Sequence, residues 1–319
     1  MRTTLRFLSS LLLCSFAIAA PAAQTAAPSP DAPAFTLKPL GHNAYAAIDA
    51  NGRAGANAGF VIGAESVLVV DTFEHESAAQ QLLAEIRKLT PLPVKYVVNT
   101  HYHLDHVAGN RVFQQAGASV IAQRNVTGWI HTENLKFFGN NIKPEQKAMV
   151  EALGAPDRTY NDRLELNLGS LPVEVRYFPG HTGGDSVVFI PTANVVFCGD
   201  LFWNTTLPNL IDASTVPWIA TLDELLQKQP AATTFVPGHG EPGGAQKVAA
   251  FRDYLKNLRE ILNGPVQSGK SGDELIAAVL PQLQEKYGQW TFFKYFAKPN
   301  ILDTAAELRG SKRIPQPAQ

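Results

Sequence analysis

Residues 100–110 have the sequence THYHLDHVAGN and hold three histidines and an aspartate within six positions. The preceding run VKYVVN, residues 94–99, is short and β-branched, which predicts a strand that ends at this cluster. Because side chains alternate along a strand, His101 and His103 project to the same side and can hold one ion together. Asp105 and His106 are adjacent and follow a turn, so they are better placed to serve a second ion.

Three further β-rich runs end in a similar way. Residues 173–178 lead into Pro179-Gly180-His181, residues 195–198 into Gly199-Asp200, and residues 233–236 into Pro237-Gly238-His239. The four strands each deliver a potential metal ligand just past the carboxyl end, usually after a glycine that lets the backbone turn sharply. Strands and helical runs are interleaved in both halves of the chain, which predicts packed sheets with helices outside, an α/β design. We expect these ligands to meet at one sheet edge.

The predicted ligand set is rich in nitrogen and contains some carboxylate, a combination that suits zinc. Zinc can lower the pKa of a bound water from about 15.7 to roughly 7, which makes hydroxide available at neutral pH. Such a site supplies a nucleophile without a serine or a cysteine. The set comprises His101, His103, His181, Asp105, His106 and His239, with Asp200 as a carboxylate able to bridge two ions.

Four motifs carry a resemblance to a known family. HYHLDH, PGHTGGD, FCGDLF and VPGHG, in this order and spacing, resemble the metallo-β-lactamase superfamily over about residues 35–240. The resemblance implies a four-layer αββα sandwich of two mixed β-sheets, with a two-metal site at the sheet edges. Asp71 matches a family position that supports the site by hydrogen bonds without binding metal. The metal ligands carried over by position are His101, His103 and His181 for the first ion, Asp105, His106 and His239 for the second, and Asp200 as the bridge.

The same resemblance implies a dinuclear-zinc hydrolase in which a metal-bound hydroxide opens a carbonyl-centred bond of a small molecule. Asp105 would orient that nucleophile and accept its proton. The bond expected is a lactone, ester, thioester or β-lactam amide, so β-lactamase-like activity is included.

The residue at position 200 bears on the substrate. Asp200 stands where one β-lactamase subclass has a metal-binding cysteine, and an aspartate there is more typical of lactonases, glyoxalase II-type thioesterases and phosphodiesterases. Cys198 lies two positions earlier and is expected to point into the core. A phosphodiesterase and a sulfur dioxygenase-like oxidoreductase with a single iron stay open as alternatives, and so do iron or manganese in place of zinc.

Residues 1–23 differ in kind from the rest of the chain. Arg2 and Arg6 precede an apolar run over residues 7–20 and then small residues, the plan of a cleaved secretory signal peptide that is too short for a membrane span. We therefore expect a periplasmic or secreted protein with no stable membrane anchor. Cleavage removes two of the 27 basic residues and none of the 28 acidic ones, which gives a net charge of −3 and argues against nucleic acid as a partner. Cys198 is then the only cysteine, so no intramolecular disulfide is expected.

The remaining sequence predicts the domain organisation. Residues 24–34 are rich in alanine, proline and serine, typical of a flexible linker, and a metallo-β-lactamase-like domain is expected over residues 35–264. An apolar stripe from residue 245 indicates a long helix that Gly264-Pro265 stops. Residues 265–319 are expected to form a helical extension packed on the same domain, with a helix that opens at Ser271 and is broken or restarted by Pro281. The oligomeric state stays open.

Selection of the substrate is assigned to the loops at residues 129–142 and 201–217. Phe202 and Trp203 follow the bridging carboxylate, and they either wall the substrate pocket or belong to the aromatic core.

Overall fold

The computed structural model describes residues 33–316, apart from the side chain of Asn140. The predicted signal peptide and residues 24–32 of the predicted linker lie outside the described residues. Within residues 33–316, twelve strands form two β-sheets, and both sheets mix parallel and antiparallel pairs. The predicted α/β class and the four-layer αββα sandwich of two mixed sheets are confirmed.

The first sheet has seven strands in sequence order. The first four strands are antiparallel neighbours, and the last four run parallel to one another. The parallel strands are separated by helices, as parallel connections require. The strands are β1 (Phe35–Gly41), β2 (Ala44–Asp49), β3 (Ala58–Ile62), β4 (Val67–Val70), β5 (Val94–Val98), β6 (Ser119–Gln123) and β7 (Arg158–Tyr160).

The second sheet has five strands in the order β12-β11-β10-β9-β8. Its strands are β8 (Arg163–Asn167), β9 (Pro172–Tyr177), β10 (Ser186–Ile190), β11 (Val195–Trp203) and β12 (Thr234–His239). β11 and β12 are parallel, and the other neighbours are antiparallel. β11 is longer than predicted because its pairing with β12 continues, with register irregularities around Gly199, as far as Trp203.

Alternation along the strands divides the apolar core into layers. In β4, Leu68 and Val70 face the second sheet, whereas Val67 and Val69 pack with Leu82 of the first long helix. Both faces of this strand are therefore buried, which explains its unbroken apolar run VLVV. On the second sheet, Cys198 joins the cluster on the helical face, so its predicted core position is confirmed.

Helices cover the outer faces of both sheets. Apolar residues of α1 and α3 pack on the first sheet, and those of α6 to α9 pack on the second. The α-helices are α1 (Glu76–Leu89), α2 (Leu104–Val107), α3 (Asn110–Gln115), α4 (Val126–Thr132), α5 (Pro144–Glu151), α6 (Thr215–Lys228), α7 (Ala245–Gln267), α8 (Gly272–Tyr287) and α9 (Phe293–Leu308). Two 3₁₀ segments, Glu133–Asn141 and Pro191–Ala193, complete the secondary structure of the described chain.

Two predicted helix interruptions are wrong. α7 does not stop at Gly264-Pro265 but continues to Gln267, because a proline near the end of a helix forfeits one hydrogen bond while Ser268 N–H still donates to the Gly264 carbonyl (2.9 Å). The predicted division at residue 264 therefore falls inside α7. α8 likewise runs unbroken past Pro281, held by the buried Leu275, Val279 and Leu283. Across residues 33–316, none of the helices combines the length and the apolar character needed to cross a membrane.

Candidate metal centre

Seven side chains meet at one edge of the two sheets, and we call them the ligand edge. His101 and His103 follow β5, Asp105 and His106 lie on α2, His181 follows β9, Asp200 lies in β11, and His239 ends β12. All seven predicted ligand positions are thus brought together. Asp200 and His239 differ from the prediction in one respect, since they lie inside strands that continue further than expected.

The first group consists of His101, His103, His181 and one oxygen of Asp200, all buried. The Nε2 atom of His181 lies 3.0 Å from His103 Nδ1 and 3.2 Å from Asp200 Oδ2. His101 Nε2 lies 3.8 Å from the same Asp200 oxygen. One nitrogen from each ring and a carboxylate oxygen therefore surround a common point.

The second group consists of Asp105, His106 and His239. His239 Nε2 lies 3.2 Å from Asp105 Oδ2, and His106 Nε2 lies 3.6 Å from that oxygen. Asp200 Oδ1 lies 3.1 Å from His106 Nε2 and 3.5 Å from His239 Nε2. Asp200 consequently faces the first group with Oδ2 and the second group with Oδ1.

The ligand atoms of the two groups are better arranged to bind metal ions than to form hydrogen bonds with one another. Zinc bonds to nitrogen and oxygen of about 2.0–2.1 Å give a tetrahedron whose edges are roughly 3.3 Å, close to the separations above. His101 Nε2, His106 Nε2, His239 Nε2 and Asp200 Oδ1 are buried and have no hydrogen-bond partner among the described residues. Leaving such atoms unpaired costs about 1–3 kcal/mol each, and one cation in each group would satisfy them all.

Asp71 supports the second group from behind. Its carboxylate accepts hydrogen bonds from the backbone N–H and the hydroxyl of Thr100, both at 2.7 Å, and lies 2.8 Å from His106 Nδ1. Both oxygens of Asp71 already act as acceptors for Thr100, so the matching donor is a proton on His106 Nδ1, which turns the Nε2 lone pair towards the ligand edge.

Asp212 has the matching position behind the first group, and the sequence analysis missed it. Its Oδ2 lies 3.1 Å from His103 Nε2, and its carboxylate also accepts hydrogen bonds from Tyr102 Oη and Lys136 Nζ. Burial acts to raise the pKa of Asp212, but His103 and Lys136 outweigh it and hold that pKa below its usual value. His103 therefore presents Nδ1 to the first group. Asp212 lies in an irregular loop, where no periodicity or motif marks it.

Burial and charge set the protonation of the ligand edge. Burial lowers the pKa of His181 to about 3 and holds that of His101 well below its usual value, so both rings are neutral. Burial also acts to lower the pKa of His239, but Asp200 and Asp105 outweigh it and raise this pKa to about 9. Protons and metal ions therefore compete for the second group, and acid favours the protons.

Two glycines let the strands approach the ligand edge closely. A side-chain carbon on Gly238 would clash with the Asp200 carboxylate, and one on Gly199 would clash with Thr100. Gly199 also has a φ of +50°, a conformation that favours glycine. These positions explain why the motifs FCGDLF and VPGHG need their glycines.

A cavity of about 690 Å³ opens over the ligand edge. Six aromatic side chains line it and form what we call the aromatic wall: Phe137, Phe138, Trp203, Phe292, Tyr295 and Phe296. Trp203 stacks on His239 with ring centroids 4.0 Å apart, so it walls the pocket, whereas Phe202 packs against Phe251 in the core. Residues of the loops at 129–142 and 201–217 line the cavity, and the role of these loops in selecting the substrate stays a prediction. The contribution of residues 292–296 was missed because apolar residues near the start of a helix look like ordinary packing.

Comparisons with known proteins agree with this geometry. A sequence profile of the metallo-beta-lactamase superfamily matches residues 51–239. A linear primary-alkylsulfatase of a Pseudomonas species is 28% identical over 70% of this chain, and the chain spans about half (51%) of that relative's length. A metallo-beta-lactamase type 2 of Bacteroides fragilis is 24% identical over 70% of this chain and 81% of the relative.

The fold agrees as well. The solved structure of a metallo-beta-lactamase from Pontibacter korlensis superimposes with a TM-score of 0.56 at 24% identity, over 70% of this chain and 99% of that one. The profile covers more than half of the chain, and it contains every residue of the ligand edge. The resemblance found in the four sequence motifs is therefore confirmed. This chain belongs to the metallo-β-lactamase superfamily.

Proposed function

We propose that this protein is a hydrolase that holds two zinc ions and opens a carbonyl-centred bond in a small molecule: a lactone, ester, thioester or β-lactam amide. The observation that carries the proposal is the position of Asp200, whose two oxygens face two separate groups of ligand atoms. A single ion would leave one of those groups, and its buried unpaired nitrogens, without a partner. Nitrogen-rich donors with some carboxylate favour zinc over calcium or magnesium.

Asp105 is the residue best placed to handle protons. Its side chain is 28% exposed, whereas the other six members of the ligand edge are buried. Zinc, when bound, supplies a Lewis acid and a water of lowered pKa. The Asp105 carboxylate can orient a water in the cavity and accept its proton. Burial acts to raise its pKa, but His106 and His239 outweigh it and lower that pKa. Asp71 and Asp212 fix the rings of His106 and His103, so the ligand edge needs little rearrangement on binding.

The test combines metal analysis with hydrolysis of a substrate panel. The panel contains a chromogenic cephalosporin, several lactones, an acyl-glutathione thioester, a simple ester and a phosphodiester. We expect about two zinc ions per chain, rapid turnover of one carbonyl class, and a loss of about 10²–10⁴-fold in kcat for Asp105→Asn. Asp223→Asn, an aspartate on the exposed side of α6, is the matched control and should keep full activity. One iron per chain with oxygen uptake and no hydrolysis would contradict the proposal.

A second candidate is hydrolysis of a sulfate ester. The alkylsulfatase relative acts, by its name, on linear primary alkyl sulfates, and an apolar alkyl chain would suit the aromatic wall. A linear alkyl sulfate therefore belongs in the panel, and its turnover in preference to every carbonyl substrate would favour this candidate.

Export to the periplasm or medium is part of the proposal and is supported by the sequence of residues 1–23 alone. Amino-terminal sequencing of the protein isolated from its native cells tests it. A start between residues 20 and 24 is expected, and an intact Met1 would contradict export.

A further inference from the structure

Half of the aromatic wall comes from a part of the chain that the family profile does not cover. Phe292, Tyr295 and Phe296 lie beyond residue 239, where the match ends. They belong to the turn before α9 and to its first turn. The helical region after β12 therefore reaches back over the ligand edge and adds surface that the shared fold does not specify.

The backbone holds this turn in a costly conformation. Phe292 has a φ of +63°, which is an outlier for a bulky residue and is energetically unfavourable. Thr291 N–H donates to the Thr205 carbonyl (3.1 Å), and Leu207 N–H donates to the Thr291 carbonyl (2.9 Å). These two bonds tie the turn to the segment after β11 and fix the direction of the Phe292 side chain.

This conformation places the Phe292 ring beside the ligand edge. The Phe292 ring lies 6.0 Å from the His239 ring and 6.5 Å from the Trp203 ring, edge-on to both. Phe296 contacts Trp203 in the same way at 6.4 Å, and Tyr295 lies at the open side with 74% of its surface exposed. Across the cavity, Phe137 lies edge-on to His103 at 5.0 Å. Apolar rings thus flank the ligand edge on both sides.

Charge in the lining is one-sided. Among the described residues that line the cavity there is no lysine or arginine, and the acidic ones are Glu74, Asp105 and Asp200. Asp105 and Asp200 belong to the ligand edge, which leaves Glu74 as the other acidic residue of the lining. Lys136 Nζ lies 5.8 Å from the centre of the Phe137 ring, but Lys136 does not line the cavity. A carboxylate or sulfonate pressed against Phe292, Tyr295 and Phe296 would lose its hydration without gaining a lysine or arginine partner from the lining.

We propose that the aromatic wall selects molecules that carry an uncharged aromatic or long apolar group, packed against residues 292–296 while the reacting bond lies over the ligand edge. That these molecules are substrates rests on the proposed hydrolytic function. The selection itself rests on the wall, because apolar area removed from water and ring-on-ring contact both favour such a group. An acidic group in the same place is rejected.

Two dyes with one skeleton test the selection without any turnover. N-phenylnaphthylamine is uncharged, and anilinonaphthalenesulfonate is the same ring system with a sulfonate. Fluorescence titration of the zinc-loaded protein should give one site per chain, with the uncharged dye bound at least tenfold more tightly. Equal binding of both dyes, or tighter binding of the sulfonate, would overturn the proposal.

Variants then locate the site. Phe296→Ala should weaken binding of the uncharged dye about tenfold, and Tyr295→Ala, at a position too exposed to endanger folding, about threefold. Leu302→Ala is the matched control, because this leucine lies on α9, is 41% exposed and does not line the cavity. Dye binding that is the same in Phe296→Ala, Tyr295→Ala and the unmodified protein would place the dye elsewhere and contradict the inference.

Kinetics separate this inference from the proposed function. Within the bond class that the protein cleaves, a phenylacetyl substrate should exceed a succinyl substrate at least tenfold in kcat/KM, and Phe296→Ala should reduce that ratio. Equal kcat/KM for the two substrates would contradict selection by the aromatic wall and would not affect the proposed hydrolytic function. Dye selection that depends on Phe296, without hydrolysis of any panel member, would contradict the proposed hydrolytic function and would support selection by the aromatic wall.

Discussion

The ligand edge and the aromatic wall face each other across one cavity but are held in place by different forces. At the ligand edge, carboxylates orient individual rings, as Asp71 orients His106 and Asp212 orients His103. In the aromatic wall, Phe292, Tyr295 and Phe296 contact other rings. They rest on the layer of helices α6 to α9, which we call the helical layer and which has an apolar core.

This difference teaches where change is tolerated. A hydrogen-bonded charge depends on one partner at one distance, so a single substitution there is costly. Ring contacts are spread over many atoms, each of which contributes little. We therefore expect the ligand edge to resist substitution and the wall to adapt to different molecules.

Removal of metal should have the largest effect on stability. An ion present at about a thousandfold its Kd stabilises the folded state by about 4 kcal/mol, and two ions contribute twice. Unfolding by urea, with and without a chelator, measures this difference. The metal-free protein should stay folded by circular dichroism, because the helical layer does not depend on the ligand edge. An unchanged unfolding midpoint after verified metal removal would contradict the ligand assignment.

A cavity in the helical layer should come next. Leu258 is fully buried among the residues of α7 and its neighbours, and Leu258→Ala should lower the free energy of unfolding by about 2–5 kcal/mol. Zinc affinity should not change, because no ligand depends on this contact. Leu302→Ala, at a position 41% exposed, should cost far less. A parallel loss of zinc affinity in Leu258→Ala would show that the two regions are coupled.

Loss of the carboxylate behind His103 should have an intermediate effect. Asp212→Asn keeps the shape but weakens the acceptor for His103 Nε2–H, so zinc affinity should fall about 10–100-fold. Competition with a chromogenic chelator measures it, and stability of the metal-free protein serves as the reference. Lys136→Met removes only the cation that pairs with Asp212 and should change zinc affinity much less. Equal zinc affinity in Asp212→Asn and the unmodified protein would contradict the role of Asp212 in positioning His103.

The sequence predicts the ligand edge well because its information is local. Each ligand follows a β-rich run within a few residues, and strand ends in such sheets meet at an edge. Phe292 could not be found in this way, since its conformation depends on hydrogen bonds to the segment after β11, such as the one between Thr291 and Thr205. The prediction that α7 stops at Gly264-Pro265 was wrong for a related reason. A proline there costs one hydrogen bond, and tertiary packing can outweigh that cost.

The smallest effect is expected for the ion pairs on the outer side of the helical layer. Asp223 on α6 contacts Arg252 (2.8 Å) and Lys256 (3.2 Å) on α7, and its side chain is 33% exposed. Slight burial acts to raise its pKa, but Arg252 and Lys256 lower it, so the carboxylate adds stability above pH 3.8 that is lost as the pH falls through the lowered value.

Asp223→Asn should therefore lower the free energy of unfolding by about 0.2–1 kcal/mol at pH 7, as is usual for exposed ion pairs. The difference should shrink as the pH falls below 3.8 and also in high salt, which urea unfolding at each condition measures. A loss of several kcal/mol would mean that surface charge, and not the apolar core around Leu258, holds the helices under the aromatic wall. A small loss assigns that task to packing, which is the property that lets the wall adapt while the ligand edge stays fixed.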